Sequence, residues 1–157
     1  MLLLALALVA PPPAPPAPGS NTRFSCSRRT TAPAARIWAI WTDVSRWHEW
    51  DAALKSAELN GPFAAGTPGR LLPQSGPPAP FALTAVEPGR SYTFRTKLPL
   101  GALYVKRTLG EADGQTLFTH EVWFAGFSKP VFGLLLGKKY RTLLPPVLAA
   151  IKTQAEP

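Results

Sequence analysis

The sequence predicts an α+β domain in which an antiparallel sheet and a long final helix enclose an apolar pocket. Three observations carry that prediction. Between Ala53 and Ala125, six short segments are separated by tight turns such as Asn60-Gly61-Pro62, Pro88-Gly89 and Asp113-Gly114, and short connections favour antiparallel neighbours. From Lys129 the apolar residues take up helical spacing and keep it almost to the C-terminus. Ahead of the sheet, a Trp-rich segment supplies large side chains for a core.

Residues 1–20 are set apart from residues 21–157, which are read as one domain. Met1 to Ala10 is an uncharged apolar run, and Pro11 to Pro18 holds six prolines in eight residues. The run is shorter than the roughly 20 residues that span a bilayer. It lacks the positive start of a secretory signal, and Pro11 follows the best cleavage position. Two expectations follow. If the segment comes from a mis-assigned start, the chain is cytoplasmic. If it is a signal or anchor, the chain is exported or membrane-associated.

The domain itself opens on Thr22–Arg29, a weakly alternating edge strand. Thr30 or Thr31 is expected to cap a helix with Pro33 in its first turn, and Ile37, Trp38, Ile40 and Trp41 form its apolar stripe. Asp43 is expected to cap a second short helix through Arg46 and Trp47. The strands that follow are Ala53–Leu59, Gly66–Leu72, Phe81–Val86, Ser91–Leu98, Gly101–Leu109 and Gln115–Ala125. The last alternates best. Phe118, His120, Val122 and Phe124 share one face, while Glu121 marks the other as the wetter, so His120 is predicted to point inward. In the final helix Phe132, Leu136, Tyr140, Leu143, Leu144, Val147, Leu148 and Ile151 fall on one side. Pro145-Pro146 interrupts this stripe and predicts a kink or break.

Composition narrows the function. Seventeen Lys+Arg against nine Asp+Glu give a net charge of +8. Most basic residues are scattered, with one local excess in the last helix, and no nucleic-acid motif is present, so no nucleic-acid partner is expected. Cys26 is the single cysteine, and His48 and His120 are far apart. That excludes an intrachain disulfide and predicts neither a metal site nor a cofactor.

The element order, with three sequence pieces, resembles the START-like superfamily, in particular the polyketide cyclase/dehydrase-like branch of SRPBCC proteins. The pieces are AARIWAIWTD (34–43) leading to RWHEWD (46–51), VEPGR (86–90) between two strands, and GQTLFTHEV (114–122) before the last helix. The resemblance implies a helix-grip fold: a bent antiparallel sheet wrapped around a long C-terminal helix, with a cavity between them. The N-terminal extension and the Pro145-Pro146 pair depart from that pattern.

Trp47 and Trp50, three residues apart, are expected to plug one end of the sheet. The expected pocket wall comprises Phe81, Leu83, Tyr92, Phe94, Val105 and Phe118, continuing through His120, Val122, Phe124, Phe132, Leu136 and Tyr140. His120 is the sharpest chemical candidate. The plainer reading is a core histidine whose hydrogen bonds are satisfied. An acid/base role requires Tyr92, Tyr104 or Arg107 to converge on it. Three functions follow from these residues. The first is a binder of a hydrophobic small molecule, of lipid, isoprenoid or polyketide and aromatic type. The second is a cyclase, aromatase or dehydratase using His120, with Tyr92 or Arg107 orienting an oxygen. The third is a membrane-surface protein using the apolar N-terminus and the basic last helix.

Overall fold

The computed structural model describes residues 22–157. The readings of residues 1–20 as extension, signal or anchor lie outside these residues. Seven strands form one antiparallel sheet. They are β1 (Arg23–Thr30), β2 (Leu54–Leu59), β3 (Pro68–Pro73), β4 (Ala79–Glu87), β5 (Ser91–Leu98), β6 (Gly101–Ala112) and β7 (Gln115–Gly126). Strands β2 to β7 meander in order and β1 closes the far edge, giving β1-β7-β6-β5-β4-β3-β2. Helix α1 (Ala34–Thr42) and a 3-10 segment (Val44–Glu49) lie between β1 and β2, and α2 (Lys129–Ala155) follows β7.

Turn chemistry sets the register of the long hairpins. The β6–β7 turn needs positive φ at both Asp113 (53°) and Gly114 (72°), conformations that Asp tolerates and Gly adopts freely. That turn holds twelve consecutive pairs in register, from Ala112 opposite Gln115 to Gly101 opposite Gly126.

The buried face of the sheet carries Phe81, Leu83, Tyr92, Phe94, Val105, Phe118, Val122 and Phe124. Against it pack Ile37 and Trp41 of α1, Trp47 of the 3-10 segment, and Leu144, Val147, Leu148 and Ile151 of α2. As the alternation in β7 predicts, His120 is buried on this inner face. On the outer face Glu121 pairs with Arg23, and Trp123 stacks on Tyr104 at 5.2 Å between ring centroids.

Three local expectations are corrected. Neither Thr30 nor Thr31 caps α1. Pro33 occupies the cap position in extended geometry, one residue before the helix rather than in its first turn. The Thr30 hydroxyl instead accepts the Ala32 N–H at 3.1 Å and donates to the Glu156 carboxylate at 2.8 Å. Asp43 stands before the 3-10 segment but makes no side-chain capping bond, because its carboxylate accepts the Ser45 hydroxyl at 2.7 Å. Helix α2 continues through Pro145 and Pro146, so of the expected kink or break the break does not occur. Both prolines lie on its exposed side, as do Arg141 and Thr142, whose carbonyls lose the helical N–H donors that proline lacks. The buried stripe through Leu144, Val147, Leu148 and Ile151 holds the helix together across the lost bonds.

Candidate functional site

A cavity of about 430 Å³ lies between the sheet and the middle of α2. Its walls come from β2 (Leu54), β3 (Leu71, Pro73), β5 (Phe94, Thr96, Leu98), β6 (Leu103, Val105, Arg107), β7 (His120, Val122) and α2 (Lys139, Tyr140, Leu143, Leu144, Val147). Trp47 and Asp51 close one side of it. The volume falls within the several hundred Å³ usual for small-molecule sites.

Among the residues the sequence nominated, Phe94, Val105, His120, Val122 and Tyr140 reach this wall, and so does Arg107. Phe81, Leu83, Tyr92 and Phe118 are elsewhere, because aromatic side chains from α1, the 3-10 segment and Phe63 fill their part of the sheet, and Phe124, Phe132 and Leu136 lie towards the start of α2. Trp47 stacks on Phe81 at 5.8 Å. Tyr92 packs edge-on to Phe63 at 4.9 Å and to Trp41 at 5.9 Å. Phe118 meets Trp41 at 6.5 Å, and Leu83 is buried in the same cluster. Phe124 and Phe132 stack on each other at 6.3 Å under the first half of α2, where Leu136 is half-buried. The Trp plug predicted for Trp47 and Trp50 is thus present, and its volume moves the cavity towards β2, β3 and the middle of α2. Tyr104 is on the outer face against Trp123 and cannot converge with His120.

The cavity's polar feature comes from strand register. Tyr92 is opposite Arg107 and Arg107 is opposite His120, so the three make one transverse row on the inner face. Arg107 donates from Nη1 to the Tyr92 hydroxyl. Its guanidinium carbon lies 4.7 Å from the Trp47 ring centroid and 4.8 Å from that of Trp50, with Tyr92 and Phe94 slightly farther. Trp47 is held for this by its indole N–H, which donates to the Trp41 carbonyl at 2.9 Å. Three buried atoms of cavity-lining residues have no protein partner: Arg107 Nε, His120 Nε2 and Thr96 Oγ1.

Burial governs the titrations. It holds the His120 pKa well below the usual 6.5, and the adjacent Arg107 charge adds to this. Burial also raises the Tyr92 phenol against the pull of Arg107. Tyr140 is pushed up to about 12 by burial and by nearby Asp51. Asp51 itself is raised by burial, opposed by its hydrogen bond from Ala53 N–H at 3.0 Å and by Arg107 and Lys139. Near neutral pH the row therefore presents a neutral imidazole, a neutral phenol and a guanidinium cation.

The sequence profile described as "polyketide cyclase / dehydrase and lipid transport" matches residues 21–156. The chain belongs to that family. No curated protein is similar enough in sequence to match it. Among solved structures, this family member resembles the di-domain ARO/CYC StfQ from the steffimycin biosynthetic pathway, with a TM-score of 0.70 at 9% identity. That match covers 86% of this chain and 50% of StfQ, so the chain spans half the length of that relative. A protein of Mesorhizobium loti matches with a TM-score of 0.65 and 16% identity over 84% of this chain and 95% of its own. Truncated norcoclaurine synthase of Thalictrum flavum matches with a TM-score of 0.63 and 14% identity over 83% and 91%. At these identities the likeness is one of fold. This polyketide cyclase/dehydrase family member has the helix-grip architecture, a curled antiparallel sheet closed by a long C-terminal helix.

Proposed function

We propose that this protein binds a hydrophobic small molecule between its sheet and α2. The observation that carries the reading is the cavity itself, about 430 Å³ with mostly aliphatic and aromatic walls. A lipid, an isoprenoid or an aromatic polyketide has the matching character. Each would transfer apolar surface from water at about 25 cal/mol per Å². A thermal-shift screen across fatty acids, sterols, isoprenoids and aromatic polyketides tests it. A ligand at a hundredfold excess over its Kd adds about 2.7 kcal/mol, which raises the Tm of a domain this size by roughly 5–10 °C. A flat response across all four classes would sink the reading. Catalysis through His120 has weaker support. An imidazole held well below pH 6.5 carries almost no proton to donate at neutral pH and is a poor base for the same reason.

One observation favours a second, compatible role at a membrane surface. Leu100, Phe127, Val131, Leu134 and Leu135 are large, apolar and exposed, with Phe127 at 94%. Leu100 and Phe127 are neighbours, since the following Ser128 N–H donates to the Leu100 carbonyl at 3.3 Å. From Phe127 the apolar surface continues through Val131, Leu134 and Leu135 along the first turns of α2. Exposed Lys97, Lys129, Lys138 and Lys139 accompany it, and no Asp or Glu occurs from Phe127 to Ala155. This combination suits an anionic bilayer, with insertion of the apolar residues and about 1 kcal/mol from each nearby lysine. Among the described residues no helix is long and apolar enough to cross a membrane. The full chain should float with phosphatidylcholine vesicles containing about a third phosphatidylserine and not with pure phosphatidylcholine. The F127S/L134S variant should lose flotation. Flotation undiminished in that variant would assign membrane contact to another segment and remove this surface.

A further inference from the structure

Arg107 poses a physical problem that the apolar cavity does not solve. It is 4% exposed, and a buried cation costs several kcal/mol unless it is paired. Among the described residues no carboxylate stands within ion-pair distance of it. Asp51, on the same cavity wall, acts on Arg107 by charge across the cavity but stands beyond ion-pair distance and takes none of its N–H donors. Four aromatic rings around the guanidinium offset part of the cost. Rings, however, do not take up N–H donors in the plane of the guanidinium, and Nε has no acceptor. Directly opposite on β7, His120 is 1% exposed with Nε2 likewise unpartnered. Both residues face the cavity.

We propose that the ligand is an apolar monocarboxylate whose carboxylate is bound by Arg107, with His120 beside it and the hydrocarbon body along Leu54, Leu98 and Val147. This rests on the reading of the cavity as a ligand site and narrows it to one chemical class. The carboxylate supplies the missing charge and its planar oxygens suit a guanidinium. A neutral alcohol or ester of the same shape fills the same walls but gives the guanidinium no anionic partner in contact with it.

Ligand pairs matched in shape and differing in charge give the test. The full-length protein is titrated with dodecanoate, dodecanol and methyl dodecanoate, and with naphthaleneacetate and its methyl ester. Tryptophan fluorescence is the readout, since Trp47 and Trp50 flank Arg107. Charged hydrogen bonds contribute about 1.5–3 kcal/mol, so each acid should bind at least roughly tenfold tighter than its neutral partners. In R107M that preference should vanish while the neutral ligands keep their affinity within about threefold. R107K, which keeps the charge without the planar fork, should retain a reduced preference. K139Q, which removes a second cation on the wall, should lower the preference less than R107M does. Equal binding of acid and ester by the wild-type protein overturns the proposal and leaves the apolar pocket standing. It is also overturned if the preference survives R107M, or if K139Q and not R107M abolishes it. If no member of either series binds, the monocarboxylate proposal fails, and the four-class thermal-shift screen decides the pocket reading separately.

Discussion

Burial keeps His120 neutral, and that neutrality has a consequence for stability. Its pKa in the folded chain is well below 6.5, the value it regains on unfolding. Below pH 6.5 the unfolded chain therefore binds a proton that the folded chain refuses. Stability falls as the pH drops from 6.5 towards the folded pKa, by up to about 1.4 kcal/mol per pH unit. Urea unfolding of the wild type and H120Q, compared across about pH 5 to 7, should show a slope in the wild type that the variant lacks. Parallel curves would mean that His120 is solvated. The inward direction of His120 was readable from the sequence because Phe118, Val122 and Phe124 share its parity and Glu121 opposes it. Arg107 was harder. Within Lys106-Arg107-Thr108 it resembles any surface cation. It was nominated to orient an oxygen, yet its place on the wall needs the register that sets it between Tyr92 and His120.

Helix α2 shows where local rules and packing disagree. A proline inside a helix costs about 3 kcal/mol, and two in succession predict a kink or break. The element continues because its apolar stripe does, and because both rings point to solvent. The prolines are consequently a load that the core carries. Replacing them (P145A/P146A) should restore helical hydrogen bonds to the Arg141 and Thr142 carbonyls. Part of the gain is offset because proline also restricts the unfolded chain. A net increase of roughly 2 kcal/mol is expected, read as a higher urea midpoint. A lower midpoint would show that the prolines are structurally required. Strand spacing, by contrast, is legible to within three residues at each end, since the hairpins are punctuated by Gly, Pro or Asp at their turns. Caps were not. Thr30 had a competing partner in Glu156, 126 residues away, which no local window can reveal.

At the scale of the whole molecule, the class of fold follows from the order of periods, two for the sheet and 3.6 for the helix. The position of the cavity does not. A cavity is the space that packing leaves over, and here it depends on how far Trp41 and Trp47 intrude along the sheet. Phe81, Leu83, Tyr92 and Phe118 have the right face and the wrong end, so an apolar wall inferred from alternation alone centres too near α1. The attachment of α2 is equally uneven. Its last three turns bury Leu144, Val147, Leu148, Ile151 and Ala155. Just beyond them, Glu156 holds Thr30 and Thr31, and Lys152 donates to the Arg29 carbonyl at 3.1 Å. Towards Lys129 only Gly133 and Gly137 are fully buried, with Phe132, Leu136 and Tyr140 half-covered. The free energy of local opening follows the apolar contact that must be surrendered. The helix is thus fastened like a beam clamped at one end and resting at the other. The cavity touches the helix from Lys139 to Val147, so its roof is the stretch where the resting half gives way to the clamped one.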